Sequence, residues 1–231
     1  MSEAKVALVV AAHPDDEVLG CGGTVAVLAA SGWSVHSLIM AEGATSRDDA
    51  RDPSGQQENL SELARCAAEA AEHLGAEKPR LLDFPDNRMD SVDRLDVVKK
   101  IEKEIARVGP VRIFTHSSCD VNIDHRVVHD AVIAATRPQP HHFRGEVFFF
   151  ETVSSTEWRP PTSLRPFMPT VFCDISAYLP AKLAALGAYA PEMRAYPHAR
   201  SIEAVEYLAR VRGASVGLAA AEAFESGRQF I

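Results

Sequence analysis

Positive charge is in short supply in this sequence. Against 32 aspartates and glutamates stand 24 lysines and arginines, a formal net charge of -8, which argues against nucleic acid or an anionic membrane as the main partner. Cysteine is scarce and scattered: Cys21, Cys66, Cys119 and Cys173 form no C-x-x-C pair. That argues against a disulfide framework or a thiolate zinc site and predicts reduced thiols in a cytoplasmic protein. No apolar run approaches the roughly 20 residues that a membrane span needs. The apolar stretch before His13 is too short for a secretory signal and runs into acids instead of a cleavage site. Internal repeats and low-complexity tails are also absent. The 231 residues, 46% of them hydrophobic, predict a single domain over 1–231 with a real core and a helical C-terminal elaboration from about residue 176.

What is present is an alternation of short apolar runs with amphipathic stretches. Strands are expected over 6–11, 34–40, 80–84, 111–115, 146–151 and 170–174. Helices are expected over 17–31, 59–74, 95–108 and from about 125 to 137, with mostly helix beyond 176 and a break at Tyr196-Pro197-His198. Residues 41–57 form a long polar loop, and loops of that length are often functional. This order predicts a Rossmann-like, mostly parallel α/β sheet with helices on both faces. In such a sheet the first and fourth strands are neighbours at the switch point, where ligands bind. Residues 12–17 and 116–125 should therefore meet.

Those two stretches hold the chemistry. Ala12-His13-Pro14-Asp15-Asp16-Glu17 places one imidazole and three carboxylates between a buried strand and a helix start, an arrangement that calls for a cation. Hydrolytic zinc sites commonly take three ligands from His and carboxylates and leave a position for water. His13 and Asp16 supply two, and His125, at the start of the helix across the switch point, supplies the third. Asp124 is a candidate partner for a ligating imidazole. Asp15, adjacent to a ligand but spare, is placed to accept a proton from water. His129 lies one turn beyond His125, but the metalloprotease pattern needs Glu where this chain has Arg126, so His129 is read as packing or support. Gly20-x-Gly22-Gly23 also follows a strand, yet its spacing misses the dinucleotide fingerprint, and the acids of the turn oppose a pyrophosphate. A non-catalytic metal-binding protein and a dinucleotide-binding oxidoreductase are the rival readings.

Ala-His-Pro-Asp-Asp-Glu after an N-terminal strand, together with Asn122-Ile123-Asp124-His125, resembles the metal-dependent deacetylases of the PIG-L/LmbE-like family. The stretches 84–90, 151–158 and 192–201 resemble one bacterial branch of it, so the likeness spans most of the chain. The resemblance implies that His13, Asp16 and His125 bind Zn2+ and that Asp15 is the general base. The implied reaction removes an N-acetyl group from a small-molecule glucosamine-like sugar or conjugate; an amidase acting on a larger amide is the alternative. A homo-oligomer is also implied. Two departures stand out. Many members carry His where this chain has Asn122, which can donate a hydrogen bond but no titrating proton. Many also place Arg-Arg-x-Glu near Gln56-Gln57-Glu58. The missing proton donor turns attention to His198, on its proline turn between Arg194 and Arg200, reaching its own site or a neighbouring subunit's. Arg47 and Asp86 are the candidate sugar contacts.

Overall fold

A computed structural model describes residues 5–46, 49–139, 143–162 and 165–230. β1 (Val6–Ala11) is wholly apolar and is buried from Ala7 onward. It is followed by α1 (Asp16–Ala30), β2 (Ser34–Ala41), α2 (Gln57–Leu74), β3 (Arg80–Phe84), a 3₁₀ turn (Met89–Ser91), α3 (Arg94–Val108), β4 (Arg112–His116), α4 (Ile123–Ala135) and β5 (Glu146–Phe150). These five strands run parallel in the order β3-β2-β1-β4-β5, so β1 pairs with β2 on one side and β4 on the other. The expected switch point is there.

Alternation along β1 feeds two cores. Ala7 and Val9 point to one face, against Val25 of α1 and Ala70 of α2, with α5 (Leu179–Ala188) and α6 (Ile202–Ala214) completing that layer through Leu186 and Val205. Leu8 and Val10 point to the other, against Ile101 of α3 and Val128 of α4. The doubly buried strand explains why β1 reads as a continuous apolar run. Gly20 and Gly23, the glycines that hinted at a nucleotide loop, serve packing instead. A Cβ on Gly20 would stand 2.2 Å from the Phe150 ring, and one on Gly23 would meet Ile175 at 2.8 Å.

The C-terminal elaboration carries the expected helices, α5 and α6, and adds one strand, β7 (Ala221–Arg228), that the sequence did not announce. β6 (Val171–Asp174) lies at the sheet's edge, and β7 inserts between β5 and β6, antiparallel to both. Its sequence, AEAFESGR, lacks β-branched residues and by propensity suits a helix better than a strand. Pairing overrides that preference, because β7 covers the otherwise open edge of β5 and sets Phe224 against Phe114 and Phe148.

β7 also repairs α1. That helix breaks its regular backbone at Cys21 (φ -149°). The Leu19 carbonyl accepts from Lys182 Nζ at 2.8 Å, while the Gly23 and Thr24 N–H groups donate to the Glu222 carboxylate at 2.8 and 2.6 Å. Lys182 and Glu222 close the bridge with a 2.6 Å ion pair between two nearly inaccessible side chains. Removing one partner leaves a buried charge and two orphaned amides. Glu222→Ala is therefore expected to lower stability by about 3–5 kcal/mol, measured as a shift in denaturant midpoint. A midpoint within error of the parent protein would show the bridge to be dispensable.

Candidate active site

The β1–α1 turn is unusual in its backbone. Asp15 sits at φ 101°, a region that residues other than glycine seldom occupy, and it is fully buried, as is Asp16 beside it. Such strain is retained where surrounding contacts fix it, often at functional sites. The turn aims the His13 and Asp16 side chains at the same point: His13 Nδ1 stands 3.2 Å from Asp16 Oδ2, which also accepts the His13 backbone N–H at 2.9 Å.

Across the switch point, Asn122 caps α4, its Oδ1 accepting the Asp124 N–H at 2.8 Å. The cap carries His125 inward, so that its Nε2 lies 3.2 Å from Asp16 Oδ2 and 3.3 Å from His13 Nδ1. The carboxylate behind His125 is not its sequence neighbour. Asp120 Oδ2 faces His125 Nδ1 at 3.0 Å, and Asp120 is itself held by the hydroxyls of Ser155 and Thr156 and the Asn122 N–H. Asp124 reaches the other imidazole: its carboxylate lies 3.0 Å from His13 Nε2 and accepts the Asn87 and Met89 N–H groups. Each imidazole thus has one nitrogen turned to a supporting carboxylate, and the other is left to face Asp16.

This is the donor set a divalent cation requires. If the outer nitrogens donate to Asp120 and Asp124, two ring lone pairs and a carboxylate oxygen converge within 3.3 Å. Tetrahedral zinc with bonds of about 2.0–2.1 Å separates its ligand atoms by roughly 3.3 Å, so the residues fit the ion. Lone pairs at that spacing repel unless a proton or a metal lies among them. Burial opposes charge on His125, yet Asp16 and Asp120 outweigh it and push its pKa up to about 9. His13 is raised likewise against its burial, through Asp124 and Asp16. The electrostatics of the pocket favour positive charge.

A third imidazole stays out of the set. His116 stacks on His125 with ring centroids 3.9 Å apart, but its Nε2 accepts the Ala12 N–H at 2.9 Å, so that lone pair is occupied. Burial and the neighbouring His125 charge hold its pKa well below the usual range. His129 faces the His116 carbonyl at 2.8 Å from Nδ1 and packs on Phe149, in keeping with a packing role.

The remaining expected residues are placed as follows. Asp15 is buried and ion-paired, Oδ2 to Arg200 Nη1 at 2.9 Å, while its Oδ1 has no hydrogen-bond partner among the described residues. Burial raises the Asp15 pKa well above the carboxylate range, against the pull of Arg200. A polar cleft of about 170 Å³ opens over the cluster, with His13, Ser46, Asp86, Asn87, Asn122 and Arg200 in its wall. Asp86 is buried, not a loose loop charge: it accepts the Ser46 N–H at 3.1 Å and stands 3.3 Å from His13 Nε2. Arg47 lies outside the described residues. His198 is exposed and outside the cleft wall, accepting the Arg200 N–H at Nδ1 and meeting Trp158 edge-on. Asp120 and Arg200 escaped the reading of the sequence. An acid five residues before His125 was the available sign of the first; nothing local signals the second, 185 residues from its partner.

Fold and site together describe a doubly wound α/β protein with a His/Asp cluster at its switch point that could hold a divalent cation. The family model for PIG-L, GlcNAc-PI de-N-acetylase, matches residues 8–136, and the chain belongs to that family. It is thus a hydrolase of the N-acetyl amide bond. The chain is 30% identical over 190 residues to the probable N-acetyl-α-D-glucosaminyl L-malate deacetylase 2 of Bacillus cereus, across 81% of this chain and 84% of that one. Among solved structures, a conserved protein from Thermus thermophilus superposes with a TM-score of 0.76 at 28% identity, covering 97% of this chain and 96% of the other. The N,N'-diacetylchitobiose deacetylase from Pyrococcus horikoshii shares the fold, with a TM-score of 0.76 at 21% identity over 97% of this chain and 84% of that one. Among the described residues no helix is long and apolar enough to cross a membrane.

Proposed function

We propose that the chain deacetylates an N-acetylglucosamine-like sugar or sugar conjugate, with zinc held by His13, Asp16 and His125 and with Asp15 as general base. The convergence of those three donor atoms beside a buried, half-partnered Asp15 carries the reading. When bound, zinc supplies a Lewis acid that polarises a carbonyl and brings the pKa of water toward roughly 7. Asp15 takes the proton from the attacking water and returns it to the departing nitrogen, its unpartnered Oδ1 being the free acceptor. Asp120 and Asp124 keep the two imidazoles in the tautomer that turns a lone pair inward. The wall of the cleft is rich in hydrogen-bonding groups, which suits sugar hydroxyls, and Asp86, in that wall and 3.3 Å from His13 Nε2, is the acceptor for one of them. The relatives' named substrates, a glucosaminyl malate and diacetylchitobiose, support the same sugar class.

A cytoplasmic setting and a homo-oligomer belong to the same reading. Four unpaired cysteines support the first, and the exposed Tyr207 and Val211 of α6 support the second. The test is acetate release from a panel of N-acetylated amino sugars, run as purified, after chelation and after zinc is restored. Turnover lost with the metal and regained with zinc is expected. A zinc-loaded chain that releases no acetate from any of them would favour a larger amide substrate or a non-catalytic role.

A further inference from the structure

Attack on an acetamide puts negative charge on the former carbonyl oxygen, and charge in a water-poor site needs fixed donors. Most polar groups around the cleft are already committed. His13 Nε2 faces Asp124, and His125 Nδ1 faces Asp120. Asn122 is pinned at both ends of its amide: Oδ1 accepts the Asp124 N–H and Nδ2 donates to Asn87 Oδ1, each at 2.8 Å. It carries no charge. Among the described residues of the cleft wall, Arg200 holds the one permanent cation.

Arg200 is also held in place. Nη1 donates to Asp15 Oδ2 at 2.9 Å and Nε to Ser154 Oγ at 3.2 Å, and the side chain is 23% exposed. Its backbone is fixed on both sides, the N–H to His198 Nδ1 at 3.0 Å and the carbonyl to the Arg194 N–H at 3.1 Å. The next residue, Ser201, caps α6. A guanidinium anchored in this way meets developing charge without reorganising, which is what gives preorganised donors their effect.

We propose that Arg200 is a catalytic residue that stabilises the oxyanion of the deacetylation, supplying the charge that Asn122 lacks; this rests on the deacetylase reading above. In the step, the water oxygen bonds to the acetyl carbon, the carbonyl π pair moves onto oxygen beside Arg200, and Asp15 takes the proton. Collapse re-forms the C=O bond and breaks the C–N bond; the nitrogen leaves as an amine with the proton from Asp15, and the acetic acid formed gives its hydroxyl proton to that amine to become acetate. Arg200 gives up no proton at any point. Its contribution is charge and geometry.

The test compares the wild-type chain with Arg200→Ala and Arg200→Lys at matched zinc content. Arg200→Ala is expected to lower kcat by roughly 10²–10³-fold, the scale of one oxyanion donor, with KM and metal content little changed; the melting temperature should fall, because buried Asp15 loses its ion-pair partner. Arg200→Lys should recover part of the loss, and millimolar guanidinium should restore part of the activity of Arg200→Ala. Affinity supplies a readout independent of turnover. Glucosamine carrying an N-methylphosphonyl group, a tetrahedral anion, should bind Arg200→Ala more weakly by a similar factor, and glucosamine itself should not. An active wild type with kcat unmoved in Arg200→Ala, or a loss explained wholly by KM or by lost zinc, would overturn this role alone. A wild type inactive on every N-acetyl sugar would overturn the deacetylase reading as well.

Discussion

Asp15→Asn is expected to keep its metal and its fold and to lose turnover by roughly 10²–10⁴-fold, the range for removal of a general base. Asparagine tolerates the left-handed backbone at this position at least as well as aspartate does. Its carbonyl oxygen can still accept from Arg200, so the change isolates proton transfer from position. What disappears is the capacity to hold the proton that water loses. Single-turnover acetate release at fixed zinc occupancy measures it. A zinc-loaded Asp15→Asn chain with near-normal kcat would place the base elsewhere.

Loss of metal should follow from His125→Ala, and activity should fall to background with it. The ring supplies one of three converging donors, and the two left behind cannot define a tetrahedral site. Asp120→Ala should act in the same direction but more gently, by about 10–100-fold in metal affinity, because it frees the ring that it now orients. Zinc per subunit after dialysis against graded chelator would rank the wild type, Asp120→Ala and His125→Ala in that order. Full occupancy in His125→Ala would remove it from the ligand set.

How much of this could be read from residues alone varies with the range of the interactions. The strands and helices through β5 lie within a residue or two of their expected bounds, because hydrophobic period and capping are local signals. His13 and Asp16 were legible for the same reason: both sit on one strand-to-helix turn. That His125 would meet them was legible through topology, since β1 and β4 end side by side at the switch point. Asp124 was picked out as a partner for an imidazole, and it is one, but for His13 and not for His125. Sequence adjacency misleads there because α4 turns the two side chains in different directions. Arg200 and β7 were out of reach altogether. An ion pair across 185 residues and a strand reading AEAFESGR declare themselves only when the chain has closed.

The position of β7 has a consequence for how the enzyme is made. Among the described residues β6 pairs in the sheet with β7 alone, yet it leaves the ribosome tens of residues earlier. Until Ala221–Arg228 arrives, β5 presents an open apolar edge and β6 has nothing to pair with, the kind of exposed surface that invites aggregation during synthesis. The break in α1 likewise lacks its carboxylate clamp until Glu222 arrives. The first helix translated therefore takes its final form among the last, and chaperone demand should be concentrated in the interval before the closing strand emerges.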